Sequence, residues 1–96
     1  MPRPMSKGMN LEAAETLALQ ALTFLLSEPQ RLSRFLSLTG MASQELRAAA
    51  TSPELQAATL EYLLSDESLL LTFCHEAGAD PATIAPIHEF LAKQPP

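Results

Sequence analysis

No valine occurs in the 96 residues and only two isoleucines do, so the chain lacks the side chains from which strands are commonly built. Leucine and alanine, both strong helix formers, take their place. With only five aromatic residues, a core of leucine and alanine packed between helices is predicted. The apolar fraction of 47% is that of a globular chain. The length fits one domain.

A second constraint is internal. Shifted by 38 positions without a gap, residues 17–50 fall on residues 55–88. Leu17, Leu22, Leu25, Leu26, Ser27, Leu32, Phe35 and Gly40 meet identical residues at Leu55, Leu60, Leu63, Leu64, Ser65, Leu70, Phe73 and Gly78. Phe24 meets Tyr62 and Glu28 meets Asp66. Such self-similarity implies one helical unit used twice. The expected fold is all-α: a compact bundle of about six short helices, built as two similar three-helix repeats, about 11–50 and about 52–91. Two units are too few for an open solenoid, so the halves are expected to close on each other.

Punctuation supports this division. Met1–Met9 is read as a disordered tail, and 10–93 as the single helical domain. Asn10 is placed to cap helix 1, which runs to about Leu26. Its stripe is Leu11, Ala14, Leu17, Ala18, Ala21, Leu22 and Leu25. Leu19 and Leu26 fall off that stripe, which predicts cover on more than one side. Ser27 with Gln30 reads as a capping box for helix 2, and Gly40 as its stop. Helix 3 spans Ser43 to about Ala50. Ser52-Pro53-Glu54 starts helix 4, Ser65-Asp66-Glu67 starts helix 5, and Gly78 ends it. Asp80-Pro81 starts helix 6, which Pro86 is expected to kink or split. Residues 94–96 are read as a frayed end.

Helix 5 contains Leu69-Leu70-Leu71, three large residues spread about 200° around the helix. The shift sets Leu69 and Leu71 against Arg31 and Ser33. The sequence favours helix 5 as the central helix. Otherwise Leu69 and Leu71 form a contact with a partner.

Several stretches resemble a known family: Glu15-Thr16-Leu17-Ala18-Leu19-Gln20-Ala21-Leu22, Leu32-Ser33-Arg34-Phe35-Leu36 with Gly40, Leu46-Arg47-Ala48-Ala49-Ala50, and Leu63-Leu64 with Asp66 and Leu69-Leu70-Leu71. From Asn10 to Ile84 the chain is similar to domain of unknown function 3572. That resemblance implies a compact, soluble, helical bacterial protein. It carries over no catalytic residue.

Chemistry is sparse. Cys74, His75 and His88 are the only soft metal ligands, and adjacent Cys74 and His75 diverge by about 100° on a helix. Paired short-spacing ligands are lacking, so no metal site is expected. Cys74 falls opposite Leu36 in the repeat, which predicts a buried, inert thiol. The isolated glycines form no phosphate loop, and no cofactor is expected. A net charge of −5 disfavours nucleic acid. No stretch is long and apolar enough to span a membrane, and Glu12 and Glu15 on helix 1 argue against a membrane surface. A signal peptide is not expected, and a single cysteine fits a reducing cytoplasm.

What remains is a non-enzymatic interaction module, an adaptor or regulator, with a protein partner or as a homodimer. The alternative is a carrier of a small apolar ligand, with a pocket between the repeats lined by Phe24, Phe35, Tyr62 and Phe73.

Overall fold

Local capping chemistry sets most of the helix boundaries. The computed structural model describes residues 10–95; the expected tail at 1–9 and the final Pro96 lie outside them. Asn10 Oδ1 accepts from Ala13 N at 2.7 Å and opens α1, Leu11–Leu26. α2 is Pro29–Thr39 and α3 is Ser43–Ala49. Ser52 Oγ accepts from Glu54 N and opens α4, Pro53–Leu64. Asp66 Oδ1 accepts from Leu69 N at 3.2 Å and opens α5, Glu67–Ala77. Asp80 caps a 3-10 turn, Pro81–Thr83, that leads into α6, Ile84–Ala92. The described residues are all-helical, without a strand.

Gly40 at φ 74° and Gly78 at φ 68° end α2 and α5 in the left-handed conformation that glycine adopts without cost. Each returns its N–H to the helix just finished, Gly40 to the Leu36 carbonyl and Gly78 to the Cys74 carbonyl.

Three joints differ from expectation. Ser27 does not cap α2. Its hydroxyl donates to the Phe24 carbonyl at 2.7 Å and so closes α1. Glu28 takes the N-cap position without a side-chain cap bond. Ser65 does the same at the second joint, donating to the Tyr62 carbonyl at 2.7 Å. α3 begins at Ser43 as expected, its N-cap being Ala42, whose N–H is met by Glu45 Oε1 at 2.8 Å. Finally, the split in the last helix falls at Thr83–Ile84, before Pro86. Pro86 then lies in the first turn of α6, where a missing N–H leaves no intrahelical bond unmade.

The centre of the bundle is α4, not α5. α4 packs along α6 and α1, and also meets α5. Its buried residues, Leu55, Gln56, Ala57, Thr59, Leu60 and Leu63, point to several sides of the helix, as burial from several directions requires. Small Ala57 and Thr59 let the neighbouring helices approach closely. Thr59 is compatible with that position because its hydroxyl donates to the Leu55 carbonyl at 2.8 Å. Around α4 gather Ala14, Ala18, Ala21, Leu22 and Leu25 of α1, Phe35 of α2, Leu46 of α3, Phe73 of α5, and Ile84 and Leu91 of α6.

Two aromatic contacts join the chain's halves. Phe24 on α1 meets Phe73 on α5 with ring centroids 5.4 Å apart, and Phe35 on α2 meets Tyr62 on α4 at 5.3 Å. The 38-residue shift converts one pair into the other. The third helices do not match: α6 packs extensively on α4, whereas α3 makes little contact with α1 beyond Leu46 and the residues around it.

Candidate functional site

The residues with reactive side chains are not gathered. Cys74 is buried at 3% exposure on α5, among the core residues as the sequence implied. His75 is exposed and His88 half-buried. Among the described residues no three His, Cys, Asp or Glu side chains are grouped as a cation would require. Burial pushes the Cys74 thiol above its ordinary pKa, and the charge of Asp80 adds to the rise. A protonated, covered thiol is a poor nucleophile.

The four aromatic side chains proposed to line a pocket pack against each other in two pairs. Their rings occupy the space between the halves, and none of the described concavities is lined by all four.

Three grooves mark the surface. One, of about 660 Å³, lies between α2 and the α4–α5 joint, lined by Arg31, Arg34, Tyr62, Asp66 and Leu69 among others. Its walls carry both signs of charge. Arg31 is engaged there, with its guanidinium 4.0 Å from the Phe24 ring centroid and Nη1 donating to the Phe24 carbonyl. A second groove, of about 550 Å³, runs between α1 and α5 over Phe24 and Phe73. A third, of about 400 Å³, lies between α1 and α3 over Leu22, Leu32 and Leu46.

Leu19 belongs to both α1 grooves, and so does Thr23. Leu26 joins them one turn further on. These leucines were expected to be covered, yet Leu19 is 40% and Leu26 44% exposed. They form an apolar ridge: Leu19 stands between the two grooves, and Leu26 borders the α1–α3 groove alone. The sequence signal for it was present, since both fall off the inward stripe; whether other helices cover them depends on packing.

The α5 pair is not brought together. Leu69 is half-buried on the rim of the first groove, while Leu71 is 47% exposed. Two residues apart on a helix, they point to opposite sides.

A comparison with family models matches residues 11–94 to DUF3572, described as a protein of unknown function. The chain belongs to that family. The match runs past Ile84, where the resemblance read from the sequence ended, to the close of α6 and the Gln94 side chain that donates to the Phe90 carbonyl. Comparisons with curated proteins and with solved structures gave no match. No helix of this DUF3572 member is long and apolar enough to cross a membrane, among the described residues.

The thiol of this DUF3572 member allows a direct check. Native protein should react with a thiol reagent far more slowly than urea-unfolded protein. The raised pKa also sets a sign. Folding favours the neutral thiol, so the unfolded chain loses this proton at lower pH. Cys74 therefore contributes fully below the unfolded thiol pKa of about 8.5, and that contribution is lost as pH rises towards the folded value. Urea midpoints at pH 7 and above pH 9 should show a steeper alkaline decline for wild type than for Cys74→Ala. Equal declines would mean that the thiol is not shielded.

Proposed function

We propose that this DUF3572 protein is a small non-enzymatic interaction module of the cytoplasm, an adaptor or regulator that docks a partner on the outer face of α1. The observation that carries this reading is the Leu19–Leu26 ridge. Inward α1 residues Ala14, Ala18, Ala21, Leu22 and Leu25 are almost fully buried, so the helix does not need the outer leucines for its own packing. Full burial of an exposed leucine is favourable by about 1.5–3 kcal/mol, and Leu19 and Leu26, each with some two-fifths of its surface still in water, have about 1 kcal/mol apiece left to gain from a partner. Grooves on both sides of Leu19 give a partner side chain a place to enter, in the manner of helix-in-groove recognition. Leu71 on the far side of α5 offers a second, separate contact.

The exchanged aromatic pairs support a twofold relation between the first two helices of each half. The third helix departs from it, and in doing so leaves α1 uncovered between α3 and α5. Duplication followed by divergence of the third helix accounts for a docking face in the first half alone.

The test is capture from extract of the source cells on immobilised protein, with the Leu19→Ser/Leu26→Ser variant in parallel. A set of proteins held by wild type and lost from the variant is expected. The same set on both surfaces would overturn the assignment of α1 as the contact face.

A further inference from the structure

The groove between α1 and α5 has an apolar floor and an acidic surround. Phe24, Phe73 and Ala77 make the floor with Leu19 on its rim, and among the described residues Glu76 is the one charged residue in the lining. Exposed Glu12 precedes Leu19 by seven residues, and Glu15 by four, which sets both carboxylates on the Leu19 side of α1 towards its N-terminal end. Of the cations of residues 10–95, Arg31 stacks on the Phe24 ring at 4.0 Å but is not in the lining of this groove, and the others are further off. Arg31 and Arg34 line the α2 groove, Arg47 lines the α1–α3 groove, and Lys93 follows α6. All eleven acids of the chain are within those residues.

Resting on the docking role proposed for α1, we infer that the occupant of the α1–α5 groove is a single amphipathic helix of a partner protein, with lysine or arginine flanking its leucines. An open groove between two helices accepts a third through anchors at i, i+3, i+4 and i+7. Glu12, Glu15 and Glu76 stand where the flanking cations of such a helix fall, and an acidic field speeds its encounter. A second copy of the chain fits poorly. It would bring the same carboxylates against their equivalents, and two part-exposed leucines fall far short of the roughly 800 Å² per partner of a stable interface.

The test uses the full chain and a fluorescent 18-residue helical peptide of leucine and lysine, with leucines at the anchor spacing. A companion peptide carries glutamate in place of lysine. Anisotropy titration should show the lysine peptide binding at least about tenfold tighter than the glutamate peptide. Leu19→Ser, the leucine that lines this groove, should weaken it by about tenfold or more, and Glu12→Lys/Glu76→Lys by a similar factor. Glu54→Lys/Glu61→Lys makes the same change of charge at residues outside all three grooves, and should shift binding less than about twofold. All variants are compared at equal helicity by circular dichroism. An equal loss in the Glu54/Glu61 variant would reduce the effect to net charge and overturn the proposal. Equal binding of both peptides, lost in the leucine variant, would overturn the cationic partner but leave the docking face standing. Binding indifferent to Leu19 would remove both.

Discussion

Replacing Phe73 by alanine should cost about 3–5 kcal/mol, read as a fall in the urea midpoint. The ring is 1% exposed and packs on Phe24, so truncation removes both its own burial and its neighbour's contact. Total stability of a domain is about 5–15 kcal/mol, so the variant should be close to unfolding at room temperature. Phe73→Leu keeps most of the volume and should cost much less. Phe35, fully buried against Tyr62, should behave like Phe73 when truncated. A loss below about 1 kcal/mol would place the ring at the surface and undo the assignment of α5 to the α1 side of the bundle.

Leu60→Ala should be nearly as damaging, at about 2–5 kcal/mol. Leu60 is fully buried at the middle of α4, where α1 and α6 both press on the helix. A cavity there cannot collapse without moving several helices, which places the cost towards the upper end of that range. On α5, Leu71→Ser should cost about 1 kcal/mol or less, because nearly half of its surface is already in water. The two substitutions thus separate a central α4 from a peripheral α5. Comparable losses at Leu60 and Leu71 would restore α5 to the centre.

The helix boundaries were legible because they depend on neighbours three or four residues away. Asn10, Ser52, Asp66 and Asp80 accept backbone N–H groups as their spacing implies, and Gly40 and Gly78 take the left-handed turn. Ser27 was misread because a serine between two helices can serve either one. The extended backbone that an N-cap needs falls one residue later, at Glu28, which leaves the Ser27 hydroxyl to α1. Which helix lies centrally was not legible from hydrophobicity. Leu69-Leu70-Leu71 is the most apolar run of its helix, yet α4 holds the centre with Gln56, Ala57 and Thr59 among its buried residues. Small side chains permit close approach from several directions, and a count of leucines does not register that. The buried Gln56 illustrates the cost. Its Nε2 donates to the Ala50 carbonyl at 3.4 Å, while its Oε1 has no partner among the described residues. For the candidate site, the sequence pointed to leucines outside an inward stripe but chose those of α5. The exposed ridge is on α1, because α3 and α5 stand apart from its outer face.

A docking face on α1 requires that the two sides of the helix serve different purposes. Thermal unfolding of Leu19→Ser/Leu26→Ser beside Leu22→Ser/Leu25→Ser tests that division directly. The outer pair should melt within a few degrees of wild type, while the inner pair, 6% and 0% exposed, should fail to give a cooperative transition. An outer pair that unfolds as readily as the inner one would mean that Leu19 and Leu26 hold the bundle together, and α1 would have no face to offer a partner.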